Sequence, residues 1–156
     1  MQVLEEEIKD IKISIEKLMN SEEEIQTNYD LIKSVTGVGF SNAVHMLIVT
    51  ENFIRFTNAR KFACYCGVAP FEYESGSSIR GKTKTSHLAN KKIKSLLTMA
   101  AISAINHDAE LKIKYEEKLK EGKAKMVALN IIRFKLIERI FAVIKRQSPY
   151  ILGQAA

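Results

Sequence analysis

The chain has 156 residues, two cysteines and a formal net charge of +6, with a pI near 9.3. That length suits one domain with an appendage, and it can bury a core without disulfides. Hydrophobic residues make up 46%, enough to exclude a disordered chain, and the basic balance leans toward an acidic partner.

Cys64 and Cys66 are spaced C-x-C with no second pair to complete a zinc site. They read as reduced, buried thiols of a cytoplasmic protein. No apolar run is long enough to span a bilayer, so no membrane partner is expected, and the first residues are acidic rather than signal-like.

In chain order, residues 1 to about 27 read as one long helix. Leu4, Ile8, Ile11, Ile15 and Leu18 recur at alternating steps of four and three, which is a heptad seam flanked by Glu and Lys. Two readings stand side by side. The seam pairs with a second chain, giving a homo-oligomer through residues 1–27, or it packs on its own domain. Asn28 and Tyr29 break the pattern, and a short helix from Asp30 to Val35 leads into "TGVGFSNA". A helix from Ser41 to about Val49 follows, with Ser41 as its N-cap.

Helix, Gly-Val-Gly turn, helix is the layout of a helix-hairpin-helix. Gly37 and Gly39 permit the tight turn, and the N–H groups at the next helix start suit a phosphate. An ordinary helical hairpin with a glycine cap reads the same way.

Asn58 can cap a helix from Ala59 to Cys66, which Gly67 ends and Pro70 keeps from continuing. "GVAPFEYESGSSIRGKTKT" is then a long connection, of the kind that is functional or disordered. Phe71 and Tyr73 alternate with acids, which allows an extended piece. The helical period returns from about Ser86, and "TMAAISAI" suggests a central buried helix with close neighbours. His107 and Asp108 mark a turn. Leu111, Tyr115 and Leu119 stripe the next helix, up to Gly122. Residues 123 to 146 form the last, with Met126, Val127, Leu129, Ile132, Leu136, Ile140, Phe141 and Ile144 inward. The fold class is all-α, organised as a helix over 1–27, a compact helical domain over 28–150 and a tail over 151–156.

Between Glu74 and Asp108 the chain holds no acidic residue, yet it carries Arg80, Lys82, Lys84, Lys91, Lys92 and Lys94. Uncompensated cations attract polyanions, of which phosphate is the commonest. Gly76 and Gly81 let backbone approach a ligand closely. Ser75, Ser77 and Ser78 stand among these cations as ligands or nucleophiles, and pattern alone does not separate them from each other or from a flexible Gly/Ser linker.

The ordered set of a "GVG" hairpin, "ARKFACYCGVAPFEYESGSSIRGK", "NKKIKSLLTMAAISAINHD" and "YEEKLKEGKAKMVALNIIRFKLIERIFAV" closely resembles the C-terminal domain of insertion-sequence transposases of the 110/116/902 group. The likeness spans about Leu31 to Tyr150. Thr36 stands where proline is usual, Cys66 where alanine is, and Ala89 where glycine precedes Asn90. His87, Leu88 and Lys94 fall at places often held by lysine or arginine.

The resemblance implies a DNA transposase or site-specific recombinase, with DNA and, in some members, a structured guide RNA as partners. It implies Ser75 as the nucleophile, and an N-terminal RNase-H-like domain carrying a divalent metal. No acidic cluster of that sort lies in these residues, so the chain is expected to be a C-terminal piece holding neither metal nor cofactor of its own. A non-catalytic nucleic-acid-binding and oligomerisation module is the alternative.

Overall fold

A computed structural model describes residues 2–69, 74–75, 79–80 and 89–153. Among these residues the fold is all-α, with one short extended ladder, as the periodicities indicate. Seven helices are described: α1 (Gln2–Asn20), α2 (Glu23–Lys33), α3 (Phe40–Thr50), α4 (Ala59–Tyr65), α5 (Lys91–His107), α6 (Ala109–Lys120) and α7 (Lys125–Arg146). The ladder pairs β1 (Glu74–Ser75) antiparallel with β2 (Ile79–Arg80).

α5 and α7 form the central pair. α6 packs on both, α3 and α2 lie against α5 and α7 respectively, α4 rests on α7, and α1 touches α2. The core they share is aliphatic and aromatic, with Ile32, Phe62, Leu97, Ile132, Leu136 and Ile140 almost wholly buried.

The first helix is shorter than its periodicity suggests. It stops at Asn20, and α2 restarts at Glu23 and runs straight through Asn28 and Tyr29, which are buried helical residues rather than a break. Asn28 is tolerated there because its side chain is bonded at both ends: Nδ2 donates to Asn52 at 2.8 Å and Oδ1 accepts from Gln147 at 3.2 Å. The heptad seam is largely uncovered, with Leu4, Ile8, Ile11 and Leu18 exposed. Only its C-terminal end docks, through Ile15 and Met19.

The N-cap of α3 is Gly39, not Ser41, and no side chain bonds its first N–H groups. After α3 the chain makes a left-handed turn over three consecutive non-glycine residues, Glu51, Asn52 and Phe53, at φ of 51°, 54° and 66°. Hydrogen bonds hold it, from Asn52 N to the Leu47 carbonyl at 2.8 Å and from Phe53 N to Thr50 Oγ1 at 3.0 Å.

Further along, α4 is capped as its sequence indicates, Asn58 Oδ1 accepting from the N–H groups of Arg60 and Lys61. α5 is central, but one side of it faces solvent: Met99 and Ile102 are exposed, while Leu97, Ala100, Ala101 and Ala104 are buried. Met126 and Val127, expected inward, lie exposed in the first turn of α7, before that helix reaches the core at Ala128.

Two arginines of α7 are buried. Arg139 donates to Asp108 Oδ2 at 2.6 Å and to Glu110 Oε2 at 2.8 Å, and its guanidinium lies 4.6 Å from the centre of the Tyr150 ring. Asp108 also caps α6, Oδ1 accepting from Leu111 N at 3.1 Å. Both cysteines are buried thiols, as expected, and burial pushes the Cys66 thiol from its ordinary 9.0 up to about 12.

Candidate functional site

The Ser-Gly segment follows α4 and rejoins the helical frame at Ala89, and its two feet are fastened together, Gly67 against Ala89 and Tyr65 to Asn90. After α4, Gly67 adopts φ of +67°, and the N–H groups of Val68 and Ala69 both turn back to the Ala63 carbonyl at 2.8 and 3.1 Å. The returning strand lies directly on this turn: a Cβ on Gly67 would stand 2.6 Å from the Ala89 methyl carbon. Glycine is therefore required at 67 for close approach as well as for conformation.

Asn90 completes the fastening with three bonds. Its backbone N–H donates to the Tyr65 carbonyl at 3.0 Å, its Nδ2 donates to the Tyr65 hydroxyl at 3.2 Å, and its Oδ1 caps α5 by accepting from Ile93 N at 3.1 Å.

Between these feet, the ladder sets Ser75 opposite Ile79 and Glu74 opposite Arg80. The backbones of Ser75 and Arg80 therefore lie at adjoining positions of one antiparallel pair, joined through residues 76–78. Gly76, Ser77, Ser78, Lys82, Lys84, His87 and Leu88 lie outside the described residues.

The remaining cations stand at the loop's returning foot. Lys91 and Lys92 are exposed in the first turn of α5, and Lys94 is partly buried, its Nζ 3.8 Å from where a Cβ on Gly67 would be. No acid accompanies them in that turn. Lysines at the positive end of a helix dipole are mildly unfavourable, by about 0.3–1 kcal/mol each at low salt, and an anion there relieves the cost.

The Gly-Val-Gly turn sits elsewhere. Gly37, at φ of +89°, is pressed on the middle of α5: a Cβ there would lie 2.5 Å from the Ala100 carbonyl oxygen and 2.8 Å from the Ala104 methyl carbon. Helix packing fixes glycine at that position. Gly39 is open, with nothing near its missing Cβ. Ala100 follows Lys91 by nine residues, about 14 Å along the helix axis, so the turn and the lysine start of α5 are separate patches.

Sequence reasoning passed over Asn130 and Arg133 of α7. The Asn130 amide donates to the Val68 carbonyl, just before the loop, and Asn130 Oδ1 accepts from Arg133 Nη1 at 3.1 Å. Arg133 is buried without an acidic partner among the described residues, its Nε lacks any hydrogen-bond acceptor, and burial lowers its pKa. The signal was present, since Leu129, Arg133, Leu136 and Ile140 fall on one helical face. Among the described residues no group of three or more His, Cys, Asp or Glu is placed to hold a metal ion, and no helix is long and apolar enough to cross a membrane.

The family model described as Transposase IS116/IS110/IS902 family matches residues 29–116, from α2 through the Ser-Gly hairpin and most of α6. The chain belongs to that family. This IS116/IS110/IS902-family chain is similar to the pilin gene-inverting proteins of Moraxella lacunata and Moraxella bovis, at 27% and 26% identity over 135 residues, or 86% of the chain. It is also 27% identical over 77% of its length to an insertion element IS110 protein of 43.6 kDa from Streptomyces coelicolor. The chain spans 42% of the length of the two Moraxella proteins and 29% of the Streptomyces one. The match runs through the clamp between Tyr65 and Asn90.

Proposed function

We propose that this chain is the DNA-handling domain of a transposase or site-specific recombinase, with Ser75 as the nucleophile of strand cleavage and joining. The observation that carries the reading is the clamped loop. In a chain of this transposase family, a Ser-Gly hairpin within an acid-free cationic stretch is closed at its feet by Tyr65 and Asn90.

In this reading Ser75 Oγ attacks a DNA phosphorus and the P–O3′ bond breaks. The serine proton passes to a base, the departing 3′ oxygen becomes a hydroxyl, and the 5′ side stays on the protein as a phosphoserine ester. Attack on that ester by another strand's 3′-hydroxyl rejoins DNA without ATP. Inversion, named for the Moraxella relatives, needs such paired breaks and joins.

Catalysis of this kind rests on positioning and charge stabilisation. Arg80 holds phosphoryl oxygens with its planar fork. Lys82, Lys84, Lys91, Lys92 and Lys94 contact backbone phosphates, and Gly76 lets the strand approach. The serine's base, or a divalent metal ion, comes from an acidic segment outside these residues, and a structured guide RNA is a further partner. Gly37 and Gly39 contribute through the start of α3.

The test is strand joining by the longer protein that the relatives represent, with Ser75→Ala, Ser77→Ala and Ser78→Ala compared. Only Ser75→Ala removes joining, with DNA retention unchanged. Joining that survives Ser75→Ala sinks the reading.

The uncovered seam of α1 favours a second, compatible role as an oligomerisation module, because Leu4, Ile8, Ile11 and Leu18 are each more than half exposed. Light scattering on the chain carrying Ile8→Gln and Ile11→Gln tests it. An unchanged mass excludes assembly through that seam.

A further inference from the structure

The uncovered face of α1 is specified by charge as well as by apolarity. From Val3 to Ser14 every residue of the helix is exposed, and Leu4, Ile8, Ile11 and Leu18 are between 53% and 72% exposed. In heptad terms Ile8 and Ile15 take the a positions, and Leu4, Ile11 and Leu18 the d positions. Glu7 and Ser14 then stand at g, and Glu5, Lys12 and Met19 at e.

The e flank leans on the chain's own bundle. Met19 is buried, and Lys12 Nζ lies 5.9 Å from the centre of the Phe40 ring. The seam N-terminal to Ile15 and the Glu7 flank stay exposed. At its C-terminal end the seam meets an apolar cleft of about 450 Å³ between α1, α2 and α3, where Leu18 and Ile48 remain largely exposed.

We propose that a second copy of this chain covers the seam, its α1 lying parallel to the first and in register with it. Isoleucine at a with leucine at d favours two parallel strands. Both a positions and two of the three d positions comply. In a parallel pair the g residue of one helix faces the e residue five positions on in the other. Glu7 thus meets Lys12 of the second copy, and the two-fold axis repeats the contact on the other flank.

Antiparallel alignments fit worse. Setting Ile8 against Ile11 leaves Leu18 without a seam residue opposite. Setting Ile8 against Leu18 uncovers Leu4 and brings Lys12 toward Lys12. Only the parallel register covers all five layers, and it brings the second Leu18 against the first at the edge of the apolar cleft.

Direction decides what the pair can do. α2 continues from the C-terminal end of α1, so a parallel pair starts both bundles, each with its Ser75, from one end. An antiparallel pair would part them by the length of α1, 19 residues or about 28 Å. The inference rests on the reading of α1 as an oligomerisation seam, and it adds stoichiometry, direction and register. Paired strand breaks need two serines in one assembly.

The experiment reads the mass of the 156-residue chain by sedimentation across a dilution series. The unaltered chain is expected at twice the monomer mass at about 100 μM. Glu7→Lys and Lys12→Glu each turn two attractions into two repulsions, and each is expected to raise the dissociation constant about 10-fold. Glu7→Lys combined with Lys12→Glu restores it. Both positions are exposed, and circular dichroism checks that every variant folds.

Direction is read separately from Leu4→Cys under mild oxidation, since Cys64 and Cys66 are buried. In the parallel register Leu4 faces its own counterpart, so a covalent dimer is expected that the unaltered chain does not form. A pair that Leu4→Cys does not link, or a double charge swap that fails to restore pairing, overturns the inference and leaves oligomerisation standing. An assembly of three or more chains does the same. A monomer at every concentration overturns both and leaves the seam to another segment of the longer protein. None of these results touches the reading of the chain as a DNA-handling domain.

Discussion

The Asn90 amide donates to the Tyr65 hydroxyl at 3.2 Å while the Asn90 N–H donates to the Tyr65 carbonyl at 3.0 Å. Two residues 25 positions apart thus fasten both feet of the Ser-Gly loop, and the same asparagine starts the next helix. Asn90→Ala removes the cap and the side-chain arm of the clamp together, keeping the backbone bond to Tyr65, and is expected to cost about 1–3 kcal/mol. Asn90→Asp keeps the cap acceptor and loses the Nδ2 donor, so it should cost less. Tyr65→Phe removes only the hydroxyl, about 0.5–1.5 kcal/mol. Urea midpoints order the three variants. Equal loss in Asn90→Ala and Asn90→Asp would show that the clamp, not the cap, dominates.

The two glycines of the early turn should behave oppositely. Gly37→Ala meets the Ala100 carbonyl at 2.5 Å and keeps a φ of +89°, so it should destabilise by about 2–4 kcal/mol. Gly39→Ala meets nothing and has an extended backbone, so a change within about 0.5 kcal/mol is expected. If DNA retention falls in Gly39→Ala while stability holds, the start of α3 contacts a strand. If it does not fall, this turn serves packing alone.

Arg139 and Arg133 lie six residues apart on α7 and are both buried, but among the described residues only Arg139 has carboxylate partners. Removing the buried partner, as in Asp108→Ala, leaves the guanidinium only the exposed Glu110 and also uncaps α6, for an expected loss of about 3–5 kcal/mol. Arg133→Met removes a buried cation that has no acidic partner among the described residues and relieves an unbonded Nε. Thermal unfolding should show Arg133→Met more stable, by about 1–3 kcal/mol. A loss of stability instead would mean that the Arg133–Asn130–Val68 chain outweighs the desolvation it costs.

Cys66 makes the fold sensitive to base. Burial raises its pKa from 9.0 to about 12, so the unfolded chain releases this proton first. Stability from this group is complete below the unfolded value and is lost as pH climbs toward the folded one, by up to about 1.4 kcal/mol per pH unit. Tyr150, raised chiefly by burial although Arg139 pulls it back, acts in the same direction. Unfolding free energies measured on both sides of pH 9 should fall less steeply in Cys66→Ala than in the unaltered chain. Parallel slopes would disprove a buried Cys66 thiol.

Local signals read well wherever a local cause acts. Asn58 before α4, Asp108 before α6 and the glycines at 67 and 122 are short-range devices, and each stands where the pattern puts it. The misreadings have distant causes. Asn28 looks like a helix breaker until Gln147, 119 residues on, is seen to bond it. The seam of α1 runs through its period without marking the stop at Asn20, because hydrophobic spacing does not encode where a helix turns away. Arg133 was overlooked because a charge on an apolar face is counted as an exception rather than a member. The apolar cleft at the end of the seam draws on residues from 15 to 52 across three helices, and no short window along the sequence brings them together.

The contact of Ala89 with the turn at Gly67 makes the intervening stretch a cassette. Its entry and exit are adjacent, so lengthening it pulls no helix out of place. Doubling the length of a flexible loop adds only about 0.6 kcal/mol in closure entropy. A segment of another length can therefore stand between Gly67 and Ala89 while the bundle beneath keeps its form.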